Sequence, residues 1–173
     1  MVASSNMHGL LRAATLTSLG HRLVAPPRRL YWRIFAPTRV GVRVIATIDD
    51  DSLNVILVRH AGGDRWYLPG GGVRRRELLA DAAVRELREE TGVEVASKDC
   101  RLASVHTSFF EGKSDHIVLY STIAPRTWAH QTSSGEIADV AAFPIDDLPR
   151  QTSPGARRRL DELRHGASPD AVW

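Results

Sequence analysis

The amino-acid sequence predicts an α+β domain in which a mixed β-sheet lies between helices. Three observations lead to this prediction: several short segments rich in β-branched residues, one long run of strong helix formers near the middle, and a second helical pattern near the end. Strands and helices in this order are typical of a layered fold. With 173 residues, 43% of them hydrophobic and 25% charged, the chain is long enough to bury one core.

The start of the chain is basic and is predicted to be a separate extension. Residues 1–48 contain seven arginines and no Asp or Glu. We expect residues 1–36 to form a basic and helical extension, and residues 37–173 to form the globular domain. This composition suits an organellar transit peptide, an ordinary extension of a cytoplasmic protein, or an arm that docks an RNA end or an anionic membrane. An apolar helix in this extension would also offer a contact for a homodimer.

Two features bear on the compartment of the protein. No apolar run approaches the roughly 20 residues that cross a bilayer, so we expect no stable membrane insertion. Cys100 is the single cysteine and has no internal partner for a disulfide. A reducing compartment, the cytoplasm or an organellar matrix, therefore fits best.

The first half of the domain is predicted to be mostly strands. Val40–Ile48 is rich in β-branched residues and predicts a strand, Asp49–Ser52 a turn, and Leu53–Arg59 the hairpin partner of the first strand. A short strand over Arg65–Leu68 follows, and then a glycine-rich loop over Pro69–Gly72.

A helix over Glu77–Thr91 is the clearest element. Its residues are strong helix formers, Leu79, Ala83 and Leu87 are spaced along one face, and Gly92 stands where a left-handed C-cap belongs.

The second half is predicted to contain three more strands and a final helix. Arg101–Phe110 and His116–Ile123 resemble a hairpin around residues 111–115, and Ile137–Phe143 one further strand. Ser153 and Pro154 suit the start of a helix. This helix would carry Ala156, Leu160 and Leu163 on its apolar face and end at Gly166.

Three glutamates of the central helix are candidates for metal chemistry. Glu86, Glu89 and Glu90 stand at positions i, i+3 and i+4, so their carboxylates project from one side and repel one another. Either solvent spreads these charges, with Arg85 and Arg88 as local partners, or a cation neutralises them. The preceding glycine loop and the helix N-terminus favour phosphate oxygens. Oxygen ligands at a hydrated position are what Mg²⁺ or Mn²⁺ requires.

The spacing of these residues matches a known family signature. Gly71 is followed after five residues by Glu77, and after seven more by Arg85-Glu-Leu-Arg-Glu-Glu-Thr-Gly-Val93. Every fixed position of a Nudix box is filled, so the chain is similar to the Nudix hydrolase superfamily. This resemblance implies the Nudix fold, in which a mixed sheet is sandwiched between α-helices and the box forms a loop, a helix and a loop at the active site.

The resemblance also implies a role for each residue of the box. Glu86 and Glu90 would be the principal metal ligands, and Glu89 a further ligand or the group that orients a metal-bound water. The carbonyl of Gly70 or Gly71 would complete the coordination.

Three more residues would complete the catalytic set. Arg85 and Glu77 would hold the glutamates in place without touching the metal. Glu136, just before a late strand, would be the base or an extra ligand, although an exposed loop glutamate is the other interpretation. Glu111 is a weaker rival for this role.

The activity implied is metal-dependent hydrolysis of a diphosphate linkage in a nucleoside diphosphate-linked compound. A nucleotide, a nucleotide sugar, a dinucleotide and the 5′ end of an RNA all remain open as substrates. The alternative is a nucleotide-sensing module of the same fold that binds without turnover.

Several other polar or aromatic residues invite assignment near the box. The triplet of residues 74–76, all arginines, would hold substrate phosphates or form a solvated loop. Trp66 and Tyr67 would stack on a base or pack in the core. His60, His106 and His116 are interpreted as structural or surface residues.

Overall fold

The computed structural model describes residues 38–48, 53–110, 113–128 and 135–173. Their secondary structure, in chain order, is β1 (Val40–Ile48), β2 (Asn54–His60), β3 (Trp66–Tyr67), α1 (Leu79–Thr91), a 3₁₀ turn (Ser97–Asp99), β4 (Arg101–Phe110), β5 (Lys113–Ala124), β6 (Ile137–Pro144) and α2 (Pro154–His165). The predicted extension over residues 1–36, the turn over residues 49–52 and Glu111 lie outside these residues and stay predictions.

The strands form one mixed sheet. Along the hydrogen-bonded path their order is β3-β2-β1-β5-β4, and β6 also pairs with β2. β1 and β5 run parallel from the pair Val40 and His116 to the pair Ile48 and Ala124, whereas the other pairs are antiparallel. The predicted pairing of β1 with β2 is confirmed, but it is short, because only Thr47 and Val55 are in register. The main partner of β1 is therefore β5.

Alternate residues of the central strands supply two separate cores. In β2, Ile56 and Val58 belong to one core, while Val55 and Leu57 belong to the other, and all four are fully buried. A strand buried on both faces has a continuous apolar sequence, as β2 has. Each core is closed by a helix: α1 contributes Ala82, Ala83 and Leu87 to the first, and α2 contributes Ala156 and Leu160 to the second. The predicted arrangement of a sheet between helices is confirmed.

Both helices end as their sequences predict. Gly92 has φ 73° and its N–H bonds to the carbonyl of Arg88, and Gly166 at the end of α2 has φ 61°. At the start of α2, the hydroxyl of Ser153 accepts the N–H of Ala156 at 3.3 Å. Within the described residues, no helix is long and apolar enough to cross a membrane.

Two predicted bounds were wrong, and two leucines of the predicted helix faces are exposed. α1 begins at Leu79 and not at Glu77, because Glu77 closes a turn with Arg74. Leu79 is 38% exposed, because the first turn of α1 projects into solvent. Leu163 is 45% exposed and lines an open cavity of about 790 Å³ instead of the core. β5 begins at Lys113, so its hairpin turn is shorter than predicted.

Candidate active site

The glycine loop is fixed against the edge of β1 by backbone hydrogen bonds. Val44 N–H donates to the carbonyl of Pro69, and Val42 N–H to that of Gly71, both at 2.9 Å. Gly70 has φ 142°, and a Cβ built there would lie 2.2 Å from the carbonyl oxygen of Val42. Only glycine permits so close an approach. The loop that precedes α1 is therefore positioned by the central strand of the sheet.

Glu90 is a buried carboxylate that contacts this loop. It is 9% exposed, and its carboxylate accepts the N–H of Gly70 at 2.8 Å. Burial is the main cause that raises the pKa of Glu90 to about 7; the charges of Glu86 and Glu136 act in the same direction, whereas the Gly70 bond and Arg43 lower it. The protein alone thus offsets only part of the cost of an ionised carboxylate at this position.

The carboxylate of Glu86 lies over Gly71. A Cβ at Gly71 would be only 2.6 Å from both of its oxygens, so the glycine leaves the space that the Glu86 carboxylate occupies. Arg85 Nη1 donates to Glu86 Oε1 at 2.6 Å. Glu89 is more exposed and lies 3.4 Å from the same guanidinium nitrogen.

Glu77 and Arg85 hold each other in a bidentate pair. Arg85 donates to the two oxygens of Glu77 at 2.6 and 2.9 Å, and to the carbonyl of Gly72 at 3.0 Å. The hydrogen bonds from Arg85, with the N–H of Arg74, hold the pKa of Glu77 at about 2. The carboxylates of Glu77 and Glu86 in turn raise the pKa of Arg85. The pair connects the glycine loop to Glu86, as a positioning role requires, and that role stays a prediction.

Glu136 approaches the site without contacting the box. Its side chain is exposed, and its carbonyl accepts the N–H of Ala61 at 2.8 Å. Its carboxylate is near enough to raise the pKa values of Glu90 and His60. The structure therefore brings Glu136 into the electrostatic neighbourhood of Glu90, and its role as a base stays a prediction.

Arg43 is a residue of the site that sequence reasoning missed. It lies in the middle of β1, partly buried, and its Nη1 donates to the carbonyl of Val42 at 3.0 Å. Burial lowers its pKa, while the charges of Glu90 and Glu86 raise it. The available signal was a lone arginine inside an otherwise apolar strand, since such a charge requires a partner.

The donor atoms fit a hard divalent cation. Glu86, Glu89 and Glu90 offer only oxygens, and a cation beside Glu90 would neutralise a carboxylate whose burial disfavours its charge. The carboxylates contact protein donors in this structure, and among the described residues no three acidic, His or Cys side chains converge closely enough to hold a metal ion. The carbonyl of Gly71 accepts one N–H and keeps a second lone pair.

The other candidates lie mostly in packing positions. Trp66 packs edge-on against Phe143 at 4.9 Å in the core beside α2, and Tyr67 packs in the core beside α1. His106 is fully buried and contacts Ser104 and Arg159, which fits a structural role.

Comparisons with known proteins found similar proteins of one family. Residues 37–163 match the family model of the NUDIX domain. The RNA pyrophosphohydrolase of Halorhodospira halophila is 44% identical over 55 residues, which are 32% of this chain and 29% of that protein. A putative 8-oxo-dGTP diphosphatase of Bacillus subtilis is 27% identical over 118 residues, 68% of this chain and 76% of that protein.

A solved structure has the same fold. The NUDIX domain of Shewanella oneidensis NrtR, complexed with ADP ribose, superposes with a TM-score of 0.65 at 20% identity and covers 78% of this chain and 91% of that one. At this identity the likeness concerns the fold alone.

Proposed function

The chain belongs to the Nudix family of pyrophosphohydrolases, and on this premise we propose that it hydrolyses a diphosphate linkage in a nucleoside diphosphate-linked compound, with Mg²⁺ or Mn²⁺ bound at the glutamates of α1. One observation carries the proposal. The carboxylates of Glu86 and Glu90 are packed against Gly71 and Gly70, and burial raises the pKa of Glu90 to about 7. Such a carboxylate favours a cation beside it.

Each residue of the site has a part in this proposal. Glu86 and Glu90 would hold the cation, with Glu89 and a glycine-loop carbonyl from Gly70 or Gly71 as further ligands. When bound, the cation lowers the pKa of the attacking water, shields the phosphates and stabilises the charge on the leaving oxygen. Arg85 keeps Glu86 in place through its bond of 2.6 Å.

Two acidic residues support the reaction from outside this group. Glu77 fixes the guanidinium of Arg85 through two hydrogen bonds, so that its direction is set before substrate binds. Glu136 accepts the proton of the attacking water, or provides a further ligand. Its exposed carboxylate, close enough to influence Glu90, supports this assignment.

The names of the similar proteins share one chemical feature. The 8-oxo-dGTP in the name of one and the ADP ribose bound by another both contain a phosphoric anhydride, and a third is named as an RNA pyrophosphohydrolase. We propose a substrate of this class, a nucleotide, nucleotide sugar, dinucleotide or RNA 5′ end.

The first test is release of phosphate and nucleotide from a panel of these compounds with Mg²⁺ or Mn²⁺. Glu86→Gln and Glu90→Gln are expected to lose turnover, roughly 100-fold or more. Glu94→Gln is the matched control, because Glu94 is exposed and follows the same helix. Turnover that persisted unchanged in Glu90→Gln would show that the site is elsewhere.

The second candidate function is a nucleotide-sensing module that binds without cleaving. This candidate is included because a solved NUDIX domain of the same fold is complexed with ADP ribose. The complete set of box glutamates argues for the enzyme, since binding alone does not require all of them. Metal-dependent binding of ADP ribose, with no turnover of any compound in the panel, would support the sensing function.

A further inference from the structure

Between the glycine loop and α1 the chain makes a tight turn whose two central residues are Arg75 and Arg76. Glu77 N–H donates to the carbonyl of Arg74 at 3.2 Å, and Arg74 N–H donates back to Glu77 Oε2 at 2.7 Å, so the turn is closed by two hydrogen bonds. Arg76 has φ 62°. Glycine or asparagine usually takes this position of a turn, because a positive φ strains other side chains. The presence of an arginine here is therefore not explained by the backbone conformation of the turn.

The turn is tied to the catalytic glutamates. The Glu77 carboxylate that closes the turn is the one held by Arg85, and Arg85 bonds in turn to Glu86. The side chain of Arg74 lies 3.3 Å from Glu89. These bonds fix the base of the turn beside the carboxylates of α1, so the tip of the turn projects next to the candidate active site.

Arg75 and Arg76 themselves are exposed at that tip. No ion pair or hydrogen bond joins either side chain to the part of the chain that the structure describes. Both guanidinium groups are cationic and present planar sets of donors. Two unengaged cations therefore stand beside a site that takes phosphates.

We propose that Arg75 and Arg76 bind a phosphate of the substrate that lies outside the cleaved diphosphate. The inference rests on the proposed function, because it assumes that the diphosphate is bound at the α1 glutamates. Guanidinium groups bind phosphate oxygens through paired, charge-assisted hydrogen bonds. The box glutamates and their cation account for the cleaved diphosphate, so these arginines recognise a more extended anion.

This assignment narrows the substrate class. The preferred substrate carries phosphates in addition to the two that flank the cleaved bond. Two sources supply such a phosphate: a longer polyphosphate chain on a nucleotide, or the phosphodiester that follows the 5′ end of an RNA. ADP ribose has two phosphates and offers none.

Steady-state kinetics with three probes test the inference: ADP ribose, ATP and an RNA oligonucleotide with a 5′-triphosphate, each with Mg²⁺. The variants are the double substitution Arg75→Gln with Arg76→Gln, and Arg76→Gly, which removes one charge but allows the positive φ. The control is Arg101→Gln with Arg126→Gln, which removes the same charge from exposed positions outside the turn.

The double substitution is expected to lower kcat/KM for ATP or RNA roughly tenfold per guanidinium more than for ADP ribose, mainly through KM. A loss on both ATP and RNA identifies a polyphosphate, and a loss on RNA alone identifies a phosphodiester. For RNA, the dependence of kcat/KM on salt concentration should also become shallower. Arg76→Gly should show part of the same loss, because charge and not backbone conformation is responsible.

Equal losses on all three probes, or equal losses in the control pair, would overturn the inference while leaving the hydrolase in place. If the native protein cleaved none of these probes and no other compound of the panel described above, the proposed function would fail instead. Binding of the fluorescently labelled RNA by each protein then gives a separate measurement. An unchanged Kd in the double variant contradicts the role of the two arginines, and a Kd raised in it but not in the control pair supports that role.

Discussion

Substituting Glu90 with glutamine should stabilise the metal-free protein at alkaline pH although it removes turnover. Glu90 is 9% exposed, and burial raises its pKa from 4.5 to about 7. Between these two values the folded protein holds a proton that the unfolded chain has released. The free energy of unfolding therefore falls as the pH rises from 4.5 through 7, and above that range the folded state carries the full cost of a buried charge.

The size of this effect follows from the two pKa values. The difference between 7 and 4.5 is 2.5 units, which at about 1.4 kcal/mol per unit corresponds to roughly 3 kcal/mol above pH 7. Glutamine keeps an oxygen that accepts the N–H of Gly70 and has no charge to desolvate. Glu90→Gln should thus be more stable than the native protein by up to about 3 kcal/mol at about pH 8, and nearly equal to it below about pH 5.

Denaturant unfolding in EDTA across this pH range measures the difference, with Glu94→Gln as the exposed control. Added Mg²⁺ should bring the native protein closer to the variant, because a cation that binds the ionised carboxylate stabilises the folded state alone. Parallel pH profiles for the native protein and Glu90→Gln would refute the reasoning. They would mean that the buried carboxylate is already neutralised within the protein.

Three further predictions concern the loop and the turn. Gly71→Ala should raise the Mg²⁺ concentration for half-maximal turnover about tenfold or more, because its Cβ would lie 2.6 Å from the Glu86 carboxylate. Gly72→Ala, whose Cβ meets nothing within 4 Å, is the control, and identical metal titrations of the two would contradict this. Glu77→Gln should lower kcat roughly 10- to 100-fold. Because the pKa of Glu77 is lowered, this carboxylate stabilises the fold above pH 4.5, and the stabilisation is lost as the pH falls toward 2. The free energy of unfolding of Glu77→Gln should therefore depend less on pH between 4.5 and 2. Arg76→Gly should raise the free energy of unfolding by about 1 kcal/mol, and a lower melting temperature would show that φ 62° is not strained.

The elements that the sequence predicts well are those decided by local chemistry. β1 has the predicted bounds, because Val40–Ile48 is rich in β-branched residues. Gly92 and Ser153 cap their helices as their residue types require. The glutamates of α1 were also foreseeable, because a helix places i, i+3 and i+4 side by side.

Tertiary packing decided what the sequence did not show. The parallel pairing of β1 with β5 joins residues about 76 positions apart, Val40 with His116, and no turn signal links them. Leu163 has the helical spacing of a core residue, yet it lines an open cavity, because spacing identifies a shared face and not what covers that face. The position of Arg43 near Glu90 likewise depends on tertiary packing, because β1 and α1 are distant in the sequence.

Three residues that break local rules lie around the α1 glutamates. Arg43 is a charge in an apolar strand, Glu90 is a buried carboxylate, and Arg76 has a left-handed backbone. Arg159, which is 1% exposed, is also a buried charge, but it ion-pairs with Glu162 at 2.8 Å and bonds to a backbone carbonyl.

None of the first three has an ion-pair partner among the described residues, and each costs stability where it stands. Several destabilising residues close together are typical of a site that is used for binding or catalysis. The Glu90→Gln and Arg76→Gly variants test this directly. If stability rises in both while turnover or affinity falls, the destabilising residues of this site are there for its chemistry.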